Sequence, residues 1–231
     1  MANRPIFLPG FEGVSFVETR SIEFVWFPGM ARSQKQKSIR SLHDAASAEL
    51  GITKILEISS KSETQLGVQL SAFNLTFVTP DGATSSIESL FQGSKVFQHG
   101  GPYTDLYGTP PRDARKDSRL KASGELIHFQ YGQRIWELEP RTAFYDWLFI
   151  SGLVLYPALA SQILDYEGFT DIEFNPKKSI NCQAASAALY CSLVTRGLLE
   201  QSLSTPEQFL ETHQLQKNTS ESSQVSLFTS T

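Results

Sequence analysis

Apolar side chains recur at helical spacing between residues 85 and 97, and this pattern predicts a helix there. The inward-facing positions of that helix are Ile87, Leu90, Phe91, Ser94 and Phe97. Ser85 and Glu88 have the spacing of a capping box, in which each side chain satisfies a free backbone N–H at the start of a helix. Glu88, Gln92 and Lys95 follow at i, i+4 and i+7, so the pattern places an acid, an amide and an amine on one face.

Short strands and amphipathic helices alternate along the rest of the chain. Extended segments are predicted at residues 14–26, 55–58, 75–78, 126–136 and 169–174, and helices at 34–50, 140–155, 158–166, 181–199 and from Thr205 onward. Apolar and polar residues alternate in segment 169–174, which places Asp171 and Glu173 on the same side. A turn is predicted at Pro80-Asp81-Gly82. Helices outweigh the short strands, so we expect an α+β, mainly helical fold.

The length of 231 residues, of which 40% are hydrophobic and 19% charged, suits one globular domain. We expect a single domain over residues 1–216 and a disordered, Ser/Thr-rich tail over 217–231. No apolar run approaches the ~20 residues of a membrane span, and the N-terminus lacks the long apolar core of a signal peptide. Cys182 and Cys191 would lie on opposite faces of one helix, where they cannot form a disulfide. These features predict a cytoplasmic protein.

The net charge of −4 argues against a protein that wraps extensively around nucleic acid, so we expect any nucleic-acid contact to be local. Two groups of basic residues could make such a contact: Arg32, Lys35, Lys37 and Arg40, and the run Arg112, Arg115, Lys116, Arg119 and Lys121. A solvated helix face is the ordinary meaning of such a run, and anion binding is the alternative. The histidines and cysteines show no metal-ligand spacing.

The shared face of Glu88, Gln92 and Lys95 has two interpretations. An acid, an amide and an amine beside aromatic residues could break a covalent bond. Alternatively, Glu88 only completes the helix cap while Gln92 and Lys95 are solvated, and spacing alone favours this second interpretation.

Five short motifs in order give the chain a resemblance to the NADAR family, also called YbiA-like. The motifs are an LSNF-like segment, an S-x-E-H-Y-F-Q-A-x-K helix, a Pro-x-x-Ala-basic turn, Trp-Glu before a helix, and an Asp followed later by an Asn. The matching residues here are Leu70–Asn74, Ser86–Lys95, Pro111–Lys116, Arg134–Glu137, Asp171 and Asn181. Two positions differ, because Ser89 stands where the family has His and the segment 172–180 replaces a glycine-rich stretch.

Residues 1–67 lie outside the pattern of the small family members. This N-terminal extension, together with the phrase FTDIEFNPKKSINCQA, resembles the NADAR antitoxins encoded beside DarT-type toxins. Those toxins attach ADP-ribose to guanine in DNA. The resemblance implies a YbiA-like fold in which residues 1–67 pack on a core of residues 68–216. It also implies an enzyme that removes ADP-ribose by N-glycosidic hydrolysis, with ADP-ribosylated DNA, ADP-ribose and a DarT-type toxin as partners.

The resemblance assigns roles to individual residues. It implies Glu88, Lys95 and Asp171 as catalytic residues, and Ser71, Phe73, Asn74, Gln92, Trp136 and Asn181 as substrate-binding residues. Lys95 would be a Schiff-base nucleophile or a charge clamp. Each of three further residues has a structural alternative: Trp136 as plain core, Asp171 as a surface strand residue, and Asn181 as a helix N-cap. This route needs no metal and no cofactor.

Two other functions fit the same residues. One is an N-glycosidase acting on a free ribosylamino metabolite of the riboflavin-pathway type, as the small YbiA-like proteins are thought to do. The other is a non-enzymatic immunity protein that binds a toxin and blocks it. The extension favours a substrate larger than a metabolite, and the joint presence of Glu88, Lys95, Trp136, Asp171 and Asn181 favours an enzyme.

Overall fold

Helices and short strands alternate in the computed structural model, which describes residues 1–79, 82–177 and 179–213. The strands are β1 Ala2–Pro9, β2 Val17–Phe24, β3 Ile55–Glu57, β4 Thr76–Val78, β5 Thr84–Ser86, β6 Lys95–Phe97, β7 Leu126–Tyr131, β8 Arg134–Trp136 and β9 Gly168–Thr170. The helices are α1 Arg32–Leu50, α2 Gln65–Gln69, α3 Ile87–Gly93, α4 Pro111–Ala114, α5 Arg119–Ala122, α6 Ala143–Val154, α7 Pro157–Gln162, α8 Gln183–Thr195 and α9 Leu199–Ser204. Residues 206–213 are also helical, and two 3-10 turns span Thr104–Leu106 and Ile163–Asp165.

A four-stranded sheet of order β2-β1-β9-β3 joins the N-terminal strands to residues 168–170. β1 pairs antiparallel with both β2 and β9, while β3 pairs parallel with β9. Because successive side chains of a strand point to opposite faces, β1 contributes side chains to two apolar clusters, one on each face of the sheet. Ile6 belongs to a small apolar cluster with α1, and Phe7 belongs to the main core.

The main core lies between this sheet and helices α3, α6 and α8. Phe149 on α6 and Phe169 on β9 are fully buried in it. An aromatic group surrounds the start of α6, where Trp136 lies 5.5 Å from Phe144 and 5.1 Å from Trp147 between ring centroids. Burial of this aromatic surface contributes strongly to the stability of the main core.

Two smaller sheets hold α3 from both ends. The β4–β5 hairpin runs directly into the first turn of α3, and the three-stranded sheet β6-β7-β8 begins two residues after α3 ends. Ser86 is the N-cap of α3, and its hydroxyl accepts a hydrogen bond from the Ser89 N–H. This cap fixes the direction in which α3 enters the core.

Many predicted elements agree with the structure. The predicted helix 34–50 corresponds to α1, which ends at Gly51 in the left-handed conformation. The predicted segments 55–58, 75–78 and 126–136 correspond to β3, β4 and the β7–β8 hairpin. The mixture of helices and several small sheets confirms the expected combination of α and β elements.

For two predicted helices the ends were wrong. The helix predicted over residues 85–97 stops at Gly93, and Lys95 begins β6 because it pairs with Phe129. The cap is Ser86 rather than Ser85, so the predicted capping box does not form. The predicted helix 181–199 begins at Gln183, and Cys182 takes the N-cap position proposed for Asn181.

Segment 169–174 does not alternate between a buried and an exposed side. β9 ends at Thr170, Asp171 and Ile172 are both buried, and Glu173 is exposed. β1 was not predicted at all. The predicted turn residues Pro80 and Asp81 and the tail 217–231 lie outside the described residues.

Within the described ranges, no single helix is long and apolar enough to cross a membrane. The helix α6 and the segment Pro157–Asp165 reach that length only as a pair bent by 108°. Cys182 and Cys191 are both free and buried.

Candidate active site

A pocket of about 350 Å³ lies where the four-stranded sheet meets helices α3, α4, α6 and α8. One side, here called the sheet wall, consists of residues that follow β3 and β9: Ser59, Ser60, Lys61, Asp171, Glu173 and Phe174. The other side, here called the helix wall, consists of Glu88, Phe91, Gln92, Arg112, Arg115 and Tyr145. The remaining lining residues come from the loop after α2 and the region before and at the start of α8: Ser71, Ala72, Phe73, Ser179, Asn181 and Gln183.

Two polar side chains of the helix wall, Glu88 and Gln92, form one hydrogen-bonded chain with the neighbouring Lys95. Gln92 Nε2 donates to Glu88 Oε1 at 2.9 Å, and Lys95 Nζ donates to Gln92 Oε1 at 2.7 Å. Glu88 and Gln92 are only 9% and 8% exposed, so the solvated interpretation of this face was wrong. The i, i+4 spacing placed Glu88 and Gln92 on one helix face correctly, whereas Lys95 joins them from β6 rather than from the helix.

Lys95 is partly buried and, unlike Glu88 and Gln92, does not line the pocket. Its Nζ atom is 4.9 Å from the centroid of the Phe91 ring. Burial lowers the pKa of Lys95 to about 8, the Glu88 carboxylate opposes this, and the Arg115 guanidinium adds to it. A lysine with such a pKa is neutral in a substantial fraction of molecules near pH 8, as a nucleophilic amine must be.

Asp171 faces the pocket from the sheet wall. Its Oδ1 accepts a hydrogen bond from the Glu173 N–H at 3.0 Å, and its Oδ2 accepts one from Gln183 Nε2 at 3.0 Å. Burial raises the pKa of Asp171, and the buried Glu57 carboxylate raises it further. The interpretation of Asp171 as a surface strand residue was therefore wrong.

Gln183 joins three segments of the site. Its Nε2 donates to the Ile58 carbonyl at 2.5 Å as well as to Asp171, and its Oε1 accepts from the Ala72 N–H at 2.6 Å. The Ala72 carbonyl in turn accepts a hydrogen bond from the Glu88 N–H at 2.9 Å. The first turn of α8 thus links the sheet wall to α3.

Two arginines bring positive charge to the pocket mouth. Arg112 and Arg115, on α4 and at its end, both line the pocket and are exposed. Arg115 Nε lies 4.0 Å from Glu88 Oε1, so a largely exposed guanidinium approaches a buried carboxylate without a direct hydrogen bond. Arg119, in contrast, is held by Asp105 and Asp117. Only the first part of the basic run therefore faces the pocket.

A family model described as the DarT1-associated NADAR antitoxin matches residues 2–223. The chain belongs to this family. The match confirms the resemblance drawn from the five motifs, and its range includes residues 2–67 as well as every residue of the pocket. A comparison with curated proteins gives no match.

In this NADAR antitoxin the structure brings together most of the residues implied by the motifs. Ser71, Phe73, Glu88, Gln92, Asp171 and Asn181 all line the pocket. Asn181 Oδ1 is buried and has no hydrogen-bond partner among the described residues, so it can accept one from a bound molecule.

Asn74 and Trp136 do not line the pocket of the NADAR antitoxin. Asn74 Nδ2 donates to the Val68 carbonyl at 2.8 Å and to Ser71 Oγ at 3.0 Å, which fixes the turn that carries Ser71. Trp136 is 1% exposed and belongs to the aromatic core, as its structural alternative predicted. It stands behind the helix wall, since it contacts Phe144, which stacks on Phe91.

Sequence reasoning missed four contributions to the site. These are Tyr145, Gln183, the segment Ser59–Lys61 and the buried Glu57 behind Asp171. Glu57 could have been found because it is a charged residue inside the apolar run ILEIS. A carboxylate buried without a hydrogen-bond partner costs much free energy, so such a residue predicts a nearby partner. Tyr145 and Gln183 stand in helices without any such signal.

Proposed function

We propose that the protein is an ADP-ribosyl glycohydrolase that removes ADP-ribose from guanine bases in DNA and so reverses the action of a DarT1-type toxin. The observation that carries this proposal is the arrangement of one pocket in a DarT1-associated NADAR antitoxin. The Glu88 carboxylate stands on one wall of that pocket and is linked through Gln92 to the partly buried Lys95 amine, and the Asp171 carboxyl stands on the other wall.

The bond to be broken joins ribose C1 to the exocyclic amine of guanine. Hydrolysis replaces that nitrogen on C1 by the oxygen of water, and the amine leaves with one added proton. Positive charge develops at C1 and the ring oxygen while the bond breaks, and a carboxylate at the site stabilises it. Glu88 takes this role, with its Oε1 held by Gln92.

Lys95 provides a covalent route to the same products. An N-riboside opens to an imine between C1 and the guanine nitrogen, and the neutral Lys95 amine adds to C1. The bond from C1 to guanine then breaks with its electron pair on the guanine nitrogen, which gains a proton, and a Schiff base between C1 and Lys95 remains. Water adds to C1 and releases Lys95 and ADP-ribose. To act in this way, Lys95 Nζ must leave Gln92 Oε1 and enter the pocket.

Binding of the ADP-ribosyl group uses the other lining residues. Phe73, Phe91 and Tyr145 offer aromatic surface, and the free acceptor Asn181 Oδ1 suits a ribose hydroxyl. Arg112 and Arg115 supply charge for the diphosphate. The modified base must be unpaired to enter the pocket, so we expect single-stranded or locally opened DNA to be the substrate.

The test is release of ADP-ribose from a guanine-modified oligonucleotide by the variant Glu88→Gln. This change keeps the shape of the side chain and an acceptor for Gln92 but removes the charge. We expect a loss of about 10²–10⁴-fold in turnover without loss of folding. The matched control is Glu49→Gln, which makes the same change on the exposed surface of α1 and should retain wild-type turnover.

Three outcomes would contradict the proposal. Full turnover by Glu88→Gln would remove Glu88 from the mechanism. Hydrolysis of a free ribosylamine together with inactivity on modified DNA would indicate the metabolite N-glycosidase instead. Protection of toxin-expressing cells by Glu88→Gln as complete as that given by the wild type would indicate immunity by binding.

A further inference from the structure

Glu57 is a buried acid that the proposed mechanism leaves unused. It lies at the end of β3, is 3% exposed, and does not line the pocket. Its carboxylate accepts hydrogen bonds from the residues on either side of Asp171: Thr170 Oγ1 donates to Oε2 at 2.7 Å, and the Ile172 N–H donates to Oε1 at 2.9 Å. These two bonds fix the backbone of the turn that presents Asp171 to the pocket.

We propose that Glu57 is a positioning residue whose buried negative charge keeps Asp171 protonated, so that Asp171 is the acid that delivers a proton to the departing guanine. The inference rests on the proposed function for the identity of the leaving group. The relation between the two carboxyl groups follows from the structure of the turn.

Three hydrogen-bond donors stabilise the charged form of Glu57. Burial raises its pKa, and hydrogen bonds from Ile172, Ser59 and Thr170 oppose that rise. The Thr170 hydroxyl lies 2.8 Å from His43 Nε2, and because it donates to Glu57 it accepts the histidine N–H. Burial lowers the pKa of His43 to about 4, so at neutral pH the imidazole is a neutral donor and brings no cation to the cluster.

Asp171 has two hydrogen-bond donors, against the three of Glu57. They are the Glu173 N–H and the Gln183 amide, and like the donors to Glu57 they are uncharged. The titratable groups that face it are Glu57 from β3, Glu173 on its own turn, Tyr145 from α6 and Cys182 at the start of α8. Lys35, on α1, is paired with Glu173 at 3.1 Å, and Lys61 is the cation that the sheet wall itself contributes to the pocket. Ionising two buried carboxyl groups in one cluster costs much free energy, and the carboxyl with more hydrogen-bond donors, Glu57, keeps the charge.

The proton transfer balances over one turnover. The bond between C1 and the guanine nitrogen breaks with its electron pair on nitrogen, and that nitrogen takes the proton of Asp171. The water that adds to C1 gives one proton back to Asp171, so the acid is restored. Glu57 exchanges no proton and acts only through Asp171.

The decisive experiment titrates the side-chain carboxyl carbons of the free protein by carbon-13 NMR, with Asp171→Asn to assign the signal. We expect Asp171 to titrate well above the usual range of an aspartate in the wild type. In Glu57→Gln its midpoint should fall by more than 1 pH unit, as the charge that repels the aspartate anion is gone. Glu63→Gln, an exposed acid paired with Arg40, is the control and should leave the midpoint unchanged.

Activity provides the second measurement. The alkaline limb of kcat/KM requires protonated Asp171, so it should move to lower pH in Glu57→Gln by the same amount as the NMR midpoint. Glu57→Asp, which keeps the charge, should restore the position of that limb even if the rate is lower.

Several results would overturn the inference. These are an Asp171 midpoint near 4 in the wild type, a Glu57 that titrates above Asp171, or a Glu57→Gln variant with lower activity and an unmoved midpoint. The wild-type titration decides the question even if Glu57→Gln does not fold. Because the NMR titration needs no substrate, it remains valid if the protein releases no ADP-ribose, a result that would refute the proposed function alone.

Discussion

Burial shifts the pKa of one ionisable group at each wall of the pocket, and the two shifts have opposite directions. On the sheet wall, burial and a second carboxyl group raise the pKa of Asp171, which favours the neutral acid. Beside the helix wall, burial lowers the pKa of Lys95 to about 8, which increases the neutral fraction of the amine. Near pH 8 the sheet wall therefore holds a proton that it can donate, and a substantial fraction of Lys95 is a neutral amine that can form a bond to carbon.

The walls also differ in how they are built. α3 carries Glu88 and Gln92 four residues apart, so local helix geometry fixes them. The sheet wall combines β3 with β9, and Glu57 meets Thr170 across 113 residues of sequence. One wall thus follows from local sequence, and the other exists only after distant strands have paired.

The largest effect should come from removing the first half of the sheet wall. In a chain lacking residues 1–67, β9 loses both of its sheet neighbours, and the fully buried Phe169 becomes exposed. We expect such a chain to aggregate or to lack a cooperative unfolding transition. Limited proteolysis of the full-length protein gives the complementary test, and release of a stable fragment beginning near residue 68 would show that the sheet wall is dispensable for folding.

The next largest effect should be the loss of turnover when Lys95, beside the helix wall, is substituted. If the Schiff base forms, Lys95→Ala and Lys95→Arg should each lose at least ~10²-fold in turnover, because neither offers a neutral primary amine. The double variant with Glu88→Gln should be little worse than either single variant, since both residues serve one step. In the wild type the rate should rise with pH up to about 8, where Lys95 loses its proton.

Borohydride added during turnover should trap ADP-ribose on Lys95. If no adduct forms and Lys95→Arg keeps near wild-type activity, Lys95 is a charge clamp that holds Gln92 and Glu88 in place.

A smaller effect should follow from neutralising the pocket mouth. Arg112→Gln combined with Arg115→Gln should raise KM for modified DNA by about tenfold, or ~1.4 kcal/mol, and should weaken its salt dependence. Lys121→Gln, an exposed residue of the same basic run that does not line the pocket, is the matched control. An unchanged KM in the arginine variants would place the diphosphate elsewhere.

The smallest effect concerns stability in acid. His43 stays neutral in the folded protein down to about pH 4, whereas an unfolded histidine binds a proton below 6.5. The unfolded state is therefore favoured as pH falls from 6.5 to 4, by on the order of 1–3 kcal/mol. Urea unfolding of the wild type and of His43→Gln across this pH range measures the effect on the free energy of unfolding. The difference between the two proteins gives the contribution of the histidine, because nearby carboxyl groups with raised pKa values contribute to both. Parallel curves for the two proteins would contradict it.

The sequence predicted the helix wall better than the sheet wall for a physical reason. Helical spacing placed Ile87 and Leu90 in the core and joined Glu88 to Gln92, because both effects depend on residues within two turns. The predicted helix extended too far, because Lys95 pairs with Phe129 of the distant strand β7 and so begins β6.

On the sheet wall the decisive contacts lie far apart in sequence. The alternating neighbours of Asp171 gave it a surface strand as the structural alternative to a catalytic role. Its burial depends on β1, β3 and the Gln183 amide, none of which leaves a pattern near residue 171. The motif resemblance identified Asp171 and Asn181 where periodicity could not.

Strand β9 lies between β1 and β3 in the sheet, although about 110 residues separate it from β3 in the chain. A ribosome that adds ~5–20 residues per second needs on the order of 5–20 s to make this stretch. During that time Glu57 lacks its hydrogen-bond donors Thr170 and Ile172. The strands β1 and β3 also lack β9, which pairs with both of them. A nascent chain can therefore contain Glu88, Gln92 and Lys95 without a working pocket. Synthesis that stops before residue 168 should yield an inactive product rather than a weakened enzyme.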